Sequence, residues 1–547
     1  MKPCDVLIVG GGLAAMKSAV TAAKSGLQVH WIVKKKVCGG ASFYPMMDQV
    51  ACQVSTGVPE EDALYMEEIL DASQGMASRE MNQIYIDTIR DRVQEFPEIG
   101  VHDYHLTEAK VACFASRPRP TYVWRDWPAI RKNMRAIAAD TPNLTLMENT
   151  ALLGILTEEG AVSGALVMTP EGLDTIPCKA MVLATGGMGN LYQHNLNTPD
   201  VSGDGQAVAL LAGAQCINLE FNQFIPGFVS PAYKTVWRET TMPYMDGLTD
   251  ETGRDLLKDI LPDDAQRKEC LRLRGKHGPF TNRTLSRFFD IAMMKGILQK
   301  EGEVIGFGIR YAPEIAEDMS TYVHPYYLWL KQQHKLDLAK DEVFIAPFWH
   351  AANGGVKIDK DCSTTLPGLF AAGEVSGGIH GADRHGGHST GSCLVFGYIA
   401  GNSAAAYAKE KQQAPVEDAG HAAQRLFKQE GSLTPQELLP QIRTLMFRKG
   451  NIIREEKSLL EAIDQLRQWQ QDFGPYPYLH DPKGWEDAVK TRNFLLLGQA
   501  LLTAMLNRKE SRGSHYREDY PDTSPAYNKR FTLTWEDGKA VPREETA

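Results

Sequence analysis

The stretch 368–397, GLFAAGEVSGGIHGADRHGGHSTGSCLVFG, concentrates side chains that could do chemistry in a glycine-rich sequence. Glu374 could accept hydrogen bonds from the hydroxyl groups of a cofactor, and Arg384 could bind a carboxylate through two parallel hydrogen bonds. Because glycine has no side chain, the backbone here could approach a flat ligand closely. The stretch predicts a loop that contacts a cofactor on one side and an anionic substrate on the other. A glycine-rich surface loop with incidental histidines is the alternative.

Three histidines of this stretch, His380, His385 and His388, have a spacing that could converge on a metal ion. No cysteine or carboxylate partner completes such a ligand set, and the intervening glycines favour a loop around a flat ligand. The nine cysteines of the chain are scattered and form no C-x-x-C pair. We therefore predict no metal site, no iron–sulfur cluster of the chain's own and no disulfide framework.

The N-terminus carries a dinucleotide-binding fingerprint between a predicted strand and a predicted helix. An apolar run at 5–9 predicts a buried parallel strand, and the sequence G-x-G-x-x-A follows with Gly10, Gly12 and Ala15 at its fixed positions. The two glycines allow a tight turn and the close approach of a pyrophosphate, while Ala15 lets the helix pack against the strand. In this context the fingerprint predicts dinucleotide binding.

Three further segments could contact the same dinucleotide. The second strand, 29–33, ends at Lys34, where an NAD-binding unit would carry an acidic residue. Lys34 weakens an NAD interpretation; it could contact a phosphate or lie in a solvated loop. An apolar strand ends in Thr185 and Gly186, where backbone could pass close to the ligand, and Asp204 opens a helix that could approach it too.

Length and charge limit the class of protein. With 547 residues the chain predicts two to four domains, and its net charge of -10 argues against a nucleic-acid partner. No uninterrupted apolar run reaches the length of a membrane span. The N-terminus leads directly into a strand and leaves no room for a signal peptide, so we expect a cytoplasmic protein.

Changes in composition divide the chain. Residues 225–344 are rich in charged and aromatic side chains and lack a glycine fingerprint, which indicates an inserted capping domain. Residues 411–547 contain amphipathic helical patterns. We predict a discontinuous cofactor-binding domain at 1–224 and 345–410, the cap at 225–344, and a C-terminal helical domain at 411–547.

Taken together, the motifs resemble the flavoprotein family of succinate dehydrogenase, fumarate reductase and L-aspartate oxidase. The resemblance covers nearly the whole chain and rests on GGGLAA at 10–15, ATGG at 184–187, SGDG at 202–205, LEFNQF at 219–224, HAANGG at 350–355, GLFAAGE at 368–374, HGADRHGGHS at 380–389 and RKESRGSHYREDYP at 508–521. It implies an α/β fold with a two-part Rossmann-like FAD-binding domain, an inserted α+β capping domain and a C-terminal helical domain. It also implies hydride transfer between flavin N5 and a carbon next to a carboxylate.

The resemblance assigns roles position by position. Arg287 matches the arginine that transfers the proton, and His350 and Arg384 match groups that bind the substrate carboxylate. The cations would spread the negative charge that develops when a hydride adds to an alkene. The residues expected to contact FAD are Gly10, Gly12, Ala15, Lys34, Ser42, Thr185, Gly186, Asp204, Glu374 and Ser389.

The chain also departs from the family's pattern. Ala41 stands near the position of the histidine that links flavin covalently in the respiratory enzymes, so we expect non-covalent FAD. Ile225 replaces a histidine that helps grip the second carboxylate of a four-carbon diacid, and Asp383 and His388 replace asparagines. These changes argue against plain succinate, fumarate or aspartate as the substrate.

The leading hypothesis is an FAD-dependent oxidoreductase acting on a carbon–carbon bond beside a carboxylate, with an anionic small-molecule substrate. Since the chain carries no cluster of its own, we expect an iron–sulfur or quinone-linked electron-transfer subunit, which could hold the protein at the inner face of the membrane. Two alternatives stay open: amine oxidation as in L-aspartate oxidase, and a non-catalytic electron-transfer flavoprotein subunit.

Overall fold

The computed structural model describes residues 1–43, 50–107, 111–320, 322–427, 431–476 and 479–545. Residues 39–48, which we expect to form an irregular loop near the flavin ring, lie partly outside the described residues. The strands are β1 Cys4–Val9, β2 Val29–Val33, β3 Val50–Gln53, β4 His105–Thr107, β5 Thr121–Trp124, β6 Leu144–Glu148, β7 Ala151–Glu158, β8 Ala161–Thr169, β9 Gly172–Leu183, β10 Cys216–Ile217, β11 Asn222–Ser230, β12 Thr235–Val236, β13 Phe307–Ile309, β14 Val343–Ala352, β15 Gly355–Lys357, β16 Leu369–Ala371, β17 Ser376–Gly377, β18 Ile453–Arg454, β19 Tyr516–Arg517, β20 Arg530–Glu536 and β21 Lys539–Glu545.

The helices are α1 Leu13–Ala23, α2 Pro59–Ser73, α3 Arg79–Gln94, α4 Trp127–Asp140, α5 Asp204–Leu211, α6 Leu256–Ile260, α7 Asp264–Arg274, α8 Arg287–Leu298, α9 His324–Gln333, α10 His388–Lys409, α11 Ala419–Gln424, α12 Pro435–Lys449, α13 Glu456–Asp472 and α14 Pro482–Asn507. Among the described residues, no helix is long and apolar enough to cross a bilayer.

The central sheet has the order β6-β2-β1-β9-β8-β7, and β16 pairs with the free edge of β9. The strands around β1 run parallel, as the first apolar run and its fingerprint predict. The turn after β1 needs glycine at Gly10, where φ is 132° and a Cβ would come within 2.1 Å of the Ala184 carbonyl oxygen. Helices α1 and α10 pack together behind this sheet.

The inserted segment leaves and returns through two long strands that pair with each other. β11 and β14 are antiparallel, from Asn222 opposite Ala352 to Ser230 opposite Phe344. With β12 and β13 they form a four-stranded sheet, and the helices α6 to α9 lie in the insertion between them. The predicted domain boundaries at 224 and 344 fall within these paired strands and stay predictions. The strand β14 carries His350 towards the central sheet.

The C-terminal region is helical from α11 to α14, as the amphipathic patterns predict, but it ends in a hairpin. β20 and β21 pair with each other, and β20 also pairs with β10, where Leu533 lies opposite Cys216. The hairpin thereby completes a five-stranded sheet of order β17-β15-β10-β20-β21. Helices and mixed sheets in this arrangement confirm the predicted fold class.

A buried network of charges connects the C-terminal region to the segment before β11. Arg508 and Glu220 are both 0% exposed, and the Arg508 Nε donates to Glu220 Oε1 over 2.7 Å. The same guanidinium donates to Glu510 Oε1 at 2.9 Å and to the carbonyl oxygens of Tyr527 and Lys529, each at 2.9 Å. The charged sequence 508–521, which by composition could form a solvated helix end, is therefore largely interior.

Candidate functional site

A cleft with a cavity of about 400 Å³ runs from the fingerprint turn to the loop after β17. The turn between β1 and α1 forms one end, and the start of α10 forms part of the wall further along. Residues from the inserted segment, including Val236 and Tyr322, also line the cleft. The cleft therefore lies where the two halves of the predicted FAD-binding domain meet the predicted cap.

The fingerprint end has the shape that a pyrophosphate requires. An added Cβ at Gly12 would meet only the Ser42 hydroxyl oxygen, at 3.7 Å, so the backbone there faces open space. The helix α1 begins beside it, and no side chain caps its N-terminus. Free amide groups and the helix dipole at such a position favour bound phosphate. The residues present at this end fit a dinucleotide.

Lys34 and Asp204 form an ion pair on the wall of the cleft. The Lys34 ammonium lies 2.7 Å from Asp204 Oδ2, and the Asn493 amide donates to the other carboxylate oxygen over 3.0 Å. Burial alone would raise the pKa of Asp204, but the Lys34 cation and the hydrogen bonds lower it to about 2. Lys34 therefore does not lie in a solvated loop, because its ammonium pairs with Asp204 on the cleft wall.

Glu374 is held by backbone at the centre of the cleft. Its Oε1 accepts a hydrogen bond from the Ala352 amide over 3.0 Å, and a Cβ at Gly187 would come within 2.6 Å of the same oxygen. Burial raises the pKa of Glu374 above its usual range. Within the described residues, the Thr185 hydroxyl has no hydrogen-bond partner although it is buried and lines the cleft. An unpartnered hydroxyl at this place suits a polar ligand.

Arg384 and His350 meet at the opposite wall. The Arg384 guanidinium donates to the Ser389 hydroxyl over 3.1 Å and to His350 Nε2 over 3.4 Å. Among the described residues its Nε has no hydrogen-bond partner. Burial, together with the Arg384 charge, lowers the pKa of His350 to about 3, so this imidazole is neutral. A half-buried arginine that forms no direct ion pair among the described residues is suited to bind an anion.

Most predicted site residues come together in this cleft. Ala15 does not line it; it is fully buried within α1, which agrees with its predicted packing contribution. The predicted residues that line the cleft are Gly10, Gly12, Lys34, Ser42, Thr185, Gly186, Asp204, His350, Glu374, Arg384 and Ser389. The convergence of segments far apart in sequence is what the family resemblance implies.

Arg287 is the exception, because the structure does not bring it to this cleft. It is the first residue of α8, donates to Asn282 Oδ1 over 3.1 Å and lies over the Phe288 ring. It lines a separate, open cavity of about 520 Å³ together with Asp71 and Arg512. Sequence matching places Arg287 by its spacing from other motifs, and the local path of the chain before α8 directs its side chain elsewhere.

Sequence reasoning missed the residues that the inserted segment contributes to the cleft. Arg238 and Tyr322 line it, although no motif marked them. The Arg238 guanidinium lies 4.9 Å from the centre of the Tyr326 ring. Asn197, also unmarked, lines the cleft and donates to the His350 carbonyl oxygen over 3.3 Å. No sequence signal short of the fold itself identifies these positions.

At Ile225 and Asp383 the sequence departs from the family pattern, and both residues lie behind the cleft rather than on its wall. Ile225 is 6% exposed and pairs with Phe348 across β11 and β14. Asp383 is fully buried, and its Oδ2 accepts a hydrogen bond from the Thr281 hydroxyl over 2.6 Å. Burial raises the pKa of Asp383 to about 7. Within the described residues, no group of histidine, cysteine and acidic side chains has the arrangement of a metal site.

Comparison with known proteins identifies the family. The family described as "FAD binding domain" matches residues 5–271 and 308–390, and the family described as "Fumarate reductase flavoprotein C-term" matches 440–545. The chain is 27% identical to one of the subunits of fumarate reductase (CoM/CoB) from Methanothermobacter marburgensis, over 97% of both chains. It is also 27% identical to L-aspartate oxidase of Streptomyces coelicolor, over 95% of this chain and 89% of the relative.

Solved structures show the same fold. Mycobacterium smegmatis Sdh1 in complex with UQ1 superposes with a TM-score of 0.83 at 24% identity, covering 100% of this chain and 95% of that one. A quinol-fumarate reductase with menaquinol molecules superposes with a TM-score of 0.77 at 20% identity, covering 100% and 99%. The family and sequence matches confirm the resemblance: the chain belongs to the flavoprotein family of succinate dehydrogenase, fumarate reductase and L-aspartate oxidase, and it is an FAD-dependent oxidoreductase.

Proposed function

We propose that this protein transfers a hydride between flavin N5 and a carbon adjacent to the carboxylate of a small anionic substrate. The observation that carries the proposal is the half-buried pair of Arg384 and His350 in the same cleft as the fingerprint glycines. Among the described residues Arg384 forms no direct ion pair with a carboxylate, so a substrate carboxylate would complete it. FAD supplies the hydride donor or acceptor when it is bound in this cleft.

The chain's own residues would hold the cofactor without a covalent bond. Gly10 and Gly12 would face the pyrophosphate, and Lys34 with Asp204 and the Glu374 carboxylate would contact hydroxyl or phosphate groups further along. Ala41 lines the cleft where the family's linking histidine is expected, and it offers no nucleophile. Acid precipitation tests this proposal: the yellow colour should leave the pellet completely, and colour that stays with the protein would contradict it.

Arg384 and His350 would orient the substrate and polarise it. The guanidinium would bind the carboxylate, and the neutral imidazole would donate a hydrogen bond to the same group. The helix α10 begins at His388, and no side chain caps its N-terminus beside the cleft. Its dipole would favour negative charge on the ligand, and a closed cleft would strengthen each of these interactions by excluding water.

The source of the reaction's proton stays a prediction. The family resemblance assigns proton transfer to Arg287, which in this structure lines the separate cavity. Its guanidinium donates a hydrogen bond to Asn282 there. The proposed substrate-binding groups are Arg384 and His350, and the role of Arg287 rests on the resemblance alone.

The substrate is proposed to be something other than a plain four-carbon diacid. Ile225 stands where the family carries a gripping histidine, and the far wall of the cleft presents Val236, Arg238 and Tyr322. An apolar group, an aromatic group and one cation could receive a substrate that extends beyond its carboxylate. This mixture supports a monocarboxylate with a larger second end, or a diacid longer than fumarate.

Electrons are proposed to pass to or from a second subunit that carries iron–sulfur or quinone chemistry. The relative from Methanothermobacter marburgensis is named as one subunit of its enzyme. Such a partner could also hold this chain, which we expect in the cytoplasm, at the inner face of the membrane. Purification from the native host tests the proposal: iron and acid-labile sulfide should elute with the flavin, and a flavin peak without iron would count against it.

The central experiment is an anaerobic panel of unsaturated and saturated carboxylates, followed by flavin absorbance. Reduced protein is mixed with enoates, from fumarate to longer and aryl-substituted acids, and oxidised protein with their saturated counterparts. At least one acid should change the flavin's redox state in wild type and fail to do so in Arg384→Met. The exposed Arg425→Met serves as the matched control. If no acid reacts with wild type, the hydride-transfer proposal fails and the non-catalytic alternative gains support.

Amine oxidation is the second candidate. The match to L-aspartate oxidase extends over 95% of this chain, at the same identity as the match to the fumarate reductase of Methanothermobacter marburgensis. Adding L-aspartate and other amino acids to the oxidised protein separates the two candidates. Flavin bleaching by an amino acid with release of ammonia would favour amine oxidation, and bleaching only by saturated carboxylates would exclude it.

A further inference from the structure

Three buried histidines form a row of side chains, the histidine chain, that begins in the cleft: His380 and His385 lie in the loop before α10, and His388 is the first residue of α10. His380 lines the cleft, and its ring centre lies 5.0 Å from that of His388 with the rings nearly perpendicular. His388 is 0% exposed and packs edge-on against the Tyr85 ring, with the ring centres 4.2 Å apart. His385 is 1% exposed and packs against Tyr65, whose hydroxyl lies 3.5 Å from that of Tyr85, so the two tyrosines connect His385 to His388.

Several ring nitrogens of the histidine chain are buried without a hydrogen-bond partner. Within the described residues, no hydrogen bond reaches either nitrogen of His388, the Nδ1 of His380 or the Nε2 of His385. A buried polar atom without a partner destabilises a fold. One nitrogen of the buried His194 also lacks a partner, whereas both nitrogens of His277 are bonded. What distinguishes the histidine chain is His388, which has neither ring nitrogen bonded among the described residues and lies beside His380 at the cleft.

At the outer end of the histidine chain, His385 contacts an acidic residue near the surface. His385 Nε2 lies 3.7 Å from Glu68 Oε2, while its Nδ1 donates to the Gly386 carbonyl oxygen over 3.1 Å. The Nε2 is therefore the nitrogen that can accept a further proton, with Glu68 as its counter-ion. Glu68 belongs to α2, has a side chain that is 10% exposed and also pairs with Arg119 over 2.6 Å. Burial opposes ionisation of Glu68, but His385, Arg119 and Ser116 lower its pKa to about 2.

The charges around the chain keep its inner rings neutral in the absence of a ligand. Burial and the Arg384 cation lower the pKa of His380 to about 3, and burial with the neighbouring rings and Arg384 holds the pKa of His388 well below its usual range. An anion bound to Arg384 would offset that cation and raise the proton affinity of both rings. The titratable and charged groups that face the chain are Glu68 and Tyr65 from α2, Tyr85 from α3, Arg119 before β5, and Arg384 of the loop itself.

We propose that His380, His388 and His385 relay protons between the protein surface at Glu68 and the cleft. The proposal rests on the proposed function, because a redox reaction in the cleft is what would consume or release protons there. Imidazole suits this task, since one nitrogen can accept a proton while the other gives one up. Reduction of FAD takes two electrons and one proton, and saturation of a carbon–carbon double bond takes the flavin's hydride and one more proton. In the opposite direction the same protons leave by the same path.

The test measures proton uptake directly and needs no substrate. Oxidised holoprotein is mixed anaerobically with two equivalents of reduced methyl viologen, which donates electrons without protons, in weakly buffered solution with a pH-indicator dye. The flavin band follows reduction, and the dye follows the one proton taken up per flavin. The variants are His388→Asn and His385→Gln, which keep polar side chains but cannot carry a proton. His194→Gln, a buried histidine outside the loop, is the matched control.

Wild type and the His194 variant should take up the proton together with flavin reduction. In the His388 and His385 variants, uptake should lag reduction by tenfold or more, and imidazole added to His388→Gly should restore it in part. Uptake that stays coincident with reduction in both loop variants overturns the relay, since protons then enter through the mouth of the cleft.

Failure to bind FAD in a loop variant would show in its flavin absorbance. In that case Glu68→Gln, next to His385 at the outer end of the histidine chain, decides the outcome. Slowed proton uptake in this variant supports the relay, and unchanged uptake overturns it. The same measurements also distinguish a failure of the relay from a failure of the proposed function. Normal proton uptake with a flavin that no carboxylate reoxidises contradicts hydride transfer alone, while slowed uptake in the variants supports the relay whichever substrate is found.

Discussion

The C-terminal network and the cleft both bury arginine, but they complete its hydrogen bonds differently. Arg508 is held by two carboxylates and two carbonyl oxygens, all from the chain itself. Arg384 has only a serine hydroxyl and a neutral imidazole, and its Nε has no hydrogen-bond partner among the described residues. Since a buried charge needs compensation, the first arrangement is complete within the protein and the second needs a ligand. The difference separates charges that stabilise this fold from charges that serve its chemistry.

The largest expected effect is on stability, from Arg508→Met. The substitution leaves Glu220 buried without its cation and leaves Glu510 with Arg512 alone, so the free energy of unfolding should fall by about 3 to 5 kcal/mol. Urea denaturation of the holoprotein measures it. Arg425→Met, which removes an exposed ion pair, should change stability by less than about 1 kcal/mol. A comparably small loss for Arg508→Met would show that the network is not structural.

Arg384→Met should give the opposite result: the reaction with the carboxylate should slow, with little loss of stability. Flavin oxidation or reduction by the active carboxylate should slow by about 10² to 10³-fold, because the group that binds the developing charge is gone. The free energy of unfolding should change by no more than about 1 kcal/mol, since Arg384 makes no direct ion pair with a carboxylate among the described residues. Stopped-flow absorbance and urea denaturation of the same preparation test both halves. Equal destabilisation by the Arg508 and Arg384 variants would remove the distinction.

Asp383→Asn tests the buried carboxyl behind the cleft through the pH dependence of the free energy of unfolding. The pKa of Asp383 is raised by burial to about 7, so the folded state holds a proton that the unfolded chain releases above about pH 4. This carboxyl therefore destabilises the fold progressively as pH rises from about 4 to about 7. Asp383→Asn should be more stable than wild type by up to about 4 kcal/mol at about pH 8, and the gain should vanish below about pH 4. A gain that does not depend on pH would assign it to packing.

The smallest effect concerns Lys34→Met, in a pair that resembles the C-terminal network but lies on the cleft wall. Asp204 would keep its charge near the cofactor without the Lys34 cation, so FAD should dissociate about tenfold more readily, or about 1.4 kcal/mol. Recovery of FAD fluorescence on dilution measures the affinity. Lys35→Met, whose side chain is 57% exposed, should leave it unchanged. An unchanged affinity in Lys34→Met would make the pair structural.

The strands, the fingerprint turn and the glycine-rich loop could be predicted because their physical requirements are local. A buried parallel strand needs an apolar run, and the turn at Gly10 needs a residue without a side chain. The pairing of Lys34 could not be predicted in this way, since Asp204 reaches it from a distant part of the chain and is itself held by Asn493. The same holds for Arg238 and Tyr322, which the inserted segment brings to the cleft.

The position of the Arg287 side chain could not be read from the family resemblance. In the structure it contacts Asn282 and lines the other cavity, and its assigned role stays a prediction. For the charged sequence 508–521, composition alone predicts the wrong environment. Its composition is typical of a solvated helix end, yet its charges neutralise one another in the interior, and that pairing is visible only in three dimensions.

The hairpin of β20 and β21 has a consequence for how the protein is made. It supplies one edge of the sheet that contains β17, the strand that leads into the histidine loop. During synthesis this sheet stays open until residues near 545 have left the ribosome. Until then, the edge of β10 that pairs with β20 stays open, so the sheet that precedes the histidine-bearing segment is completed only late in synthesis.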